Sequence, residues 1–131
     1  MKTLLTNLKN KPTFMEIRTS ASILHDFYSG IERIFEKIAI VIDKNLPKGE
    51  TSHIDLLIQM TKPYGNIRPK IITETLFEKL KEYLKFRHLF RHIYGFELKW
   101  DRIKPLCLKM ENILEELNNE IDKFLKNLNK E

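Results

Sequence analysis

The residues best suited to chemistry in this chain lie close together, within positions 86–95. This segment reads FRHLFRHIYG and contains Arg87, Arg91, His92 and Tyr94. A guanidinium group is a permanent cation that binds phosphate, and imidazole exchanges a proton near neutral pH. Arginine with histidine is therefore the pair required for cleaving a phosphodiester without a metal ion.

Positive charge is concentrated around the same segment. The chain has a formal net charge of +5. Residues 62–104 contain eleven Lys or Arg against five Asp or Glu, whereas the rest of the chain contains twelve against thirteen. A localised basic surface attracts polyanions, with RNA and DNA first among them. A solvated basic helix face is the alternative, and charge alone does not decide between the two.

The composition indicates an ordinary globular chain. With 131 residues, 42% of them hydrophobic and 31% charged, the sequence predicts one domain over 1–131. Cys107 is the single cysteine, which excludes an intrachain disulfide and fits a reducing cytoplasm. We find no apolar run long enough to span a membrane and no signal peptide, so we expect a cytoplasmic protein. The four histidines and one cysteine lack metal-ligand spacing, and no cofactor is expected.

Apolar residues recur at intervals of three or four, which predicts helices. The predicted helices are about 14–45, 51 or 52 to 60, 69 to about 95, and about 100–128. Proline is tolerated only in the first turn of a helix, so Pro105 predicts that the last helix begins near Arg102. No strand-like alternation is present. The sequence therefore predicts an all-α bundle of three long helices and one short one.

The spacing of the candidate pair raises a geometric question. On a regular helix Arg87 and His92 lie about 140° apart and do not share a face. Arg87 shares a face with Arg91, and His88 shares one with His92. Two solutions remain open. Either the helix loosens before Gly95 and turns His92 towards the arginine, or a two-fold dimer brings two copies together in one composite cleft.

The pattern Arg87, His92, Tyr94 resembles the R-x4-H-x-Y signature of the HepT-like toxins, within the HEPN superfamily of all-helical ribonucleases. Residues 26–35, DFYSGIERIF, resemble the first long helix of that family. The resemblance covers about residues 14–128. The region before the first helix is shorter than is usual in such toxins.

Two further places fit the same resemblance. His53 with Leu56 and Leu57, and Arg68 with Pro69, fall where the family has similar residues. From the sequence we expect His53 to cap or pack near the start of the short helix.

The resemblance implies a specific activity. HEPN ribonucleases are dimers in which Arg and His from both protomers line one cleft, and they cut RNA without a metal ion. By this resemblance His92 is the general acid or base for 2′-OH attack, and Arg87 holds the scissile phosphate. The implied partner is a minimal nucleotidyltransferase antitoxin, which attaches AMP to the tyrosine of the signature, here Tyr94. A substrate contact is the other role considered for this tyrosine.

Several neighbouring charges are expected to support the catalytic pair. Arg91 and His88 belong to the same basic patch, and Arg68 is a further candidate member. Asp26 and Glu32 on the first helix are candidates for orienting the pair through hydrogen bonds. The alternative for both carboxylates is a solvated position on the helix surface.

Two other function classes remain open. The first is a non-catalytic HEPN module that binds a nucleotidyltransferase, a nucleotide or RNA. The second is a substrate-binding subunit of a nucleotidyltransferase. The complete Arg-His-Tyr set favours the ribonuclease, because a binding module has no need of a titratable group beside the cation.

Overall fold

The chain folds as a helical bundle, as a computed structural model shows for residues 12–92 and 98–129. In these residues the α-helices are α1 (Phe14–Ile38), α2 (Ser52–Met60), α3 (Glu74–His92) and α4 (Trp100–Asn129). A π-helical turn, Ala39–Asp43, continues α1. The described residues contain one isolated antiparallel bridge and no strand. The prediction of an all-α bundle with three long helices and one short one is confirmed.

The first helix begins at a capping box. The Glu16 N–H donates to Thr13 Oγ1 over 3.1 Å, and the Thr13 N–H donates to Glu16 Oε1 over 2.9 Å. These two bonds satisfy donors that the first helical turn leaves free. The helix and its π-helical turn end where Lys44 adopts a left-handed conformation, with φ of 58°. The predicted long helix thus ends close to the expected position.

The third helix begins later than predicted. Pro69 was expected to start it, but α3 starts at Glu74. Thr73 precedes this start, and its hydroxyl accepts a hydrogen bond from the Leu76 N–H over 3.2 Å. The N–H groups of residues 71 and 72 instead donate to the Met60 carbonyl, which ties this segment to the end of α2.

The last helix has the predicted bounds, but the later start near Arg102 that Pro105 predicts is wrong. It starts at Trp100, so Pro105 lies inside it rather than in its first turn. A helical proline removes one N–H donor, here the one that would pair with the carbonyl of residue 101. Burial of one apolar face of this long helix outweighs the loss; the buried residues on it are Ile103, Cys107, Ile113, Leu117 and Phe124. Gly95, the predicted terminator of α3, lies outside the described residues.

The helix α1 lies at the centre of the bundle and packs against α2, α3 and α4. The two helices α3 and α4 run antiparallel, since Lys79 pairs with Glu116 and the Tyr83 hydroxyl donates to the Leu106 carbonyl. One apolar cluster joins all four helices. Its fully buried members include Leu24, Tyr28, Phe35, Leu57, Met60, Leu76, Leu80, Tyr83, Ile103 and Leu117.

The cysteine belongs to this core, and its reactivity tests the packing of α4. Cys107 is 2% exposed, and burial raises the pKa of its thiol to about 11. Because only the thiolate reacts, we expect labelling by a disulfide reagent at pH 8 to be roughly 100-fold slower in the folded protein than in denaturant. Equal rates in the two conditions would show that α4 opens from the bundle.

Candidate active site

The arginine of the candidate pair is buried and held against α1. Arg87 is 8% exposed. Its Nε donates to Ser29 Oγ over 3.3 Å, and its Nη2 lies 3.9 Å from Glu32 Oε1. No described residue accepts a hydrogen bond from its Nη1. The carboxylate of Glu32 therefore lies beside Arg87 as an ion-pair partner, at a distance longer than the hydrogen bond that the predicted orienting role requires.

The same carboxylate binds a histidine from another helix. His53 Nδ1 lies 2.9 Å from Glu32 Oε1 and 3.0 Å from Oε2. When its proton is on Nδ1, the imidazole donates to the carboxylate, and Nε2 remains free on the other side of the ring. Glu32 is 5% exposed, whereas the His53 side chain is 45% exposed. The sequence prediction of a capping or packing role for His53 missed this contact.

Tyr28 lies close to this cluster, and its surroundings keep its phenol neutral. Burial raises the pKa of Tyr28, the nearby Glu32 carboxylate raises it further, and the Arg87 guanidinium lowers it. The tyrosine is 1% exposed and belongs to the core. Its packing fixes the section of α1 from which Ser29 and Glu32 reach Arg87.

The histidine of the candidate pair lies at the exposed end of the described part of α3. His92 is exposed and its ring lies 4.5 Å from that of His88, measured between centroids. The helix is regular from Glu74 through His92. The first solution considered above is therefore wrong for the described residues, since α3 does not loosen to turn His92 towards Arg87.

The second arginine contacts a histidine of α1. Arg91 Nε donates to His25 Nε2 over 3.4 Å, and the His25 ring stacks on Phe90 with centroids 5.4 Å apart. Asp26 Oδ1 lies 3.4 Å from His25 Nδ1. Asp26 contacts neither member of the candidate pair, which corrects its predicted orienting role. It reaches the basic patch only through His25.

Arg68 does not lie on the basic surface. Arg68 is 3% exposed and forms an ion pair with Asp43, with distances of 2.6 Å from Nε and 2.7 Å from Nη2 to the two carboxylate oxygens. The expectation that Arg68 joins the basic surface is wrong. Its role is to connect the turn after α1 with the loop after α2.

A groove of about 580 Å³ lies between α2 and α3. We call it the α2–α3 groove. Its charged and titratable lining residues are Glu50, His53, Lys81, Lys85, Arg87 and His88. The arrangement places a permanent cation and two imidazoles on one concave surface of a single protomer, where they suit a phosphate ester.

Two other predictions concern Tyr94 and metal ligands. Tyr94, the proposed modification site or substrate contact, lies outside the described residues. Within residues 12–92 and 98–129, no three His, Cys, Asp or Glu side chains are grouped to hold a metal ion. None of the helices described is long and apolar enough to cross a membrane.

A comparison with protein families finds a match to this chain. A family described as HepT-like protein matches residues 19–128, which include every described residue of the site. Comparisons with curated proteins and with solved structures find no match.

Proposed function

The chain belongs to the HepT-like protein family, and on this premise we propose that it is the ribonuclease toxin of a toxin–antitoxin pair. Its all-α bundle is that of a HEPN-domain protein. The activity proposed is metal-independent endonucleolytic cleavage of RNA, in a cleft built by two copies of the chain.

The observation that carries the proposal is the way in which Arg87 is held. Ser29 and Glu32 hold its guanidinium from one side, and Nη1 has no acceptor among residues 12–92 and 98–129. A fixed cation with a free donor suits a phosphate, because little conformational freedom is lost when the ligand binds. Lys81, Lys85 and His88 line the same groove as Arg87.

The reaction follows from the chemistry of the two side chains. His92 removes the proton from a ribose 2′-hydroxyl, whose oxygen attacks the adjacent phosphorus. The new O2′–P bond forms as the P–O5′ bond breaks, and a protonated histidine gives its proton to the leaving 5′ oxygen. Arg87 stabilises the charge on the non-bridging oxygens. The products are a 2′,3′-cyclic phosphate and a 5′-hydroxyl.

A homodimer supplies the geometry that one protomer lacks. Arg87 and His92 point about 140° apart on a regular helix, and α3 is regular between them. A two-fold axis near the end of α3 would place His92 of one protomer beside Arg87 of its partner. The exposed position of His92 leaves it free for such an arrangement.

The partner and the regulation are proposed from the family. A minimal nucleotidyltransferase antitoxin would bind this toxin and attach AMP to Tyr94. A bulky anion two residues from His92 would block the cleft and offset its positive charge.

One observation favours a second candidate function, a non-catalytic module that binds a nucleotide, RNA or the nucleotidyltransferase. Arg87 is buried against Glu32, and its side chain and that of His92 lie on different faces of α3. A protein that only binds phosphate would use such a cation without the histidine.

The decisive experiment is RNA cleavage in excess EDTA by purified protein that is free of partner and whose mass shows no added AMP. We expect cleavage that leaves cyclic phosphate ends. The matched control is the same oligonucleotide with 2′-deoxyribose throughout, which we expect to remain intact. RNA that is bound but not cut would favour the non-catalytic module. Nucleotide transfer to small molecules only by the complex with the partner would contradict the toxin.

A further inference from the structure

The structure contains a second cluster of polar side chains whose ligand the proposed function does not name. We propose that the α2–α3 groove binds one nucleotide of the RNA substrate, with His53, Lys81 and Lys85 as phosphate ligands beside Arg87. This inference rests on the proposed function, since it names a substrate subsite next to the reacting phosphate. It goes beyond that function in assigning the site to a single protomer.

Glu32 fixes two of the groove's side chains at once. Its buried carboxylate binds His53 Nδ1 through both oxygens and lies 3.9 Å from Arg87 Nη2. His53 comes from α2 and Arg87 from α3, so one group from α1 holds both walls of the groove together. Because Nδ1 donates to Glu32, Nε2 is the nitrogen left for a ligand, and it donates to a phosphate oxygen when the imidazole carries both protons. Side chains held in advance in this way bind at a lower entropic cost.

The lysines extend the cationic surface along α3. Lys81 and Lys85 are one turn apart and line the same groove, about 6 Å from each other along the helix axis. Lys81 Nζ lies over the Phe77 ring, 5.8 Å from its centroid. Lys85 lies 3.9 Å from Glu82, in an exposed pair of little energetic value. Both ammonium groups therefore remain available to a phosphate.

The remaining lining indicates what accompanies the phosphate. Ile54, Leu84 and Leu89 give the groove an apolar surface, and among the described lining residues only Glu50 carries a carboxylate. Single-stranded RNA offers both an anionic backbone and an unstacked base with an apolar face. The volume of about 580 Å³ falls in the range of small-ligand pockets. A nucleotide matches the groove in charge, polarity and size.

The probe for this site is a dinucleotide of 2′-O-methyl ribose, which binds like RNA but cannot be cut by 2′-OH attack. Its dissociation constant is measured by calorimetry for the parent, for Lys81→Ala/Lys85→Ala and for His53→Gln. The matched control is Lys109→Ala/Lys126→Ala, which removes the same charge from α4. We expect the groove double variant to bind about tenfold more weakly or worse, as loss of two phosphate contacts predicts, and the control to bind like the parent. His53→Gln keeps a donor for Glu32 and is expected to weaken binding by a smaller factor.

The outcomes separate this inference from the proposed function. Equal binding by the groove variant and the α4 control would overturn it, as would a parent that does not bind the dinucleotide. If the parent binds the dinucleotide through the groove but does not cut RNA, the result would support the subsite and contradict the proposed ribonuclease activity. If the parent cuts RNA and the groove variant has an unchanged KM, the result would support the ribonuclease activity and contradict the subsite.

Discussion

The variant His92→Ala is expected to lose RNA cleavage by a factor of roughly 10²–10⁴, the usual contribution of general acid–base catalysis. That range corresponds to about 3–5 kcal/mol of transition-state stabilisation. His92 is exposed, and its described contact is with the His88 ring. Its removal therefore leaves the bundle intact, and the midpoint of thermal unfolding is expected to stay close to that of the parent.

Arg87→Ala is expected to lose activity to a similar extent, but with a cost in stability. Arg87 is buried and paired with Glu32, so its removal changes the surroundings of a carboxylate that is 5% exposed. The contact between Glu32 and His53 partly compensates. Unfolding must therefore be measured beside activity, and Lys126→Ala serves as a surface-charge control that is expected to cut like the parent.

The two inactive variants together test the composite cleft. A mixed dimer of Arg87→Ala and His92→Ala, made by coexpression with two different tags, contains one pairing of a native arginine with a native histidine across the axis. We expect this mixed dimer to regain a substantial part of the parent activity. If the pair worked within one protomer, each half of the mixed dimer would lack one member. Absence of any recovery in a verified mixed dimer would contradict the composite cleft.

The second large effect is expected on stability, at the buried ion pair of Asp43 and Arg68. Both side chains are fully buried. All five N–H donors of Arg68 are used, since the carbonyls of residues 59, 62 and 69 accept from it in addition to Asp43. Asp43→Ala leaves this guanidinium without a counter-charge, so we expect the free energy of unfolding to fall by about 3–5 kcal/mol. Urea denaturation followed by circular dichroism measures it.

A double-mutant cycle separates the pair from its surroundings. Arg68→Met removes the buried cation and keeps much of the apolar volume. Adding Arg68→Met to Asp43→Ala is expected to restore part of the lost stability, because no unpaired buried charge remains. If the losses in unfolding free energy of the two single variants simply added in the double variant, the ion pair would contribute no interaction energy of its own. The variant His92→Ala, at the exposed end of α3, serves as the control that leaves the free energy of unfolding unchanged.

The periodicity of apolar residues determined most of the fold. A stripe at intervals of three or four residues buries one face of each helix, and the positions of α1, α2 and α4 follow from it closely. The apolar periodicity does not predict the start of α3. Pro69 is an acceptable first residue of a helix, but the N–H groups of residues 71 and 72 donate to the Met60 carbonyl. Local sequence does not predict this contact. Pro105 predicts a helix start near Arg102, but α4 begins at Trp100 and extends through the proline.

The available residue types follow from the sequence: a localised basic surplus, and an arginine, a histidine and a tyrosine at the spacing of a known family. Tertiary structure alone decided their surroundings. It buried Arg68 against Asp43, brought Arg91 to His25, and joined Glu32 to Arg87 and His53. Glu32 and His53 are 21 residues apart. Helical periodicity reports which face of one helix is buried, but a contact between helices depends on how those faces are rotated and aligned when the core packs.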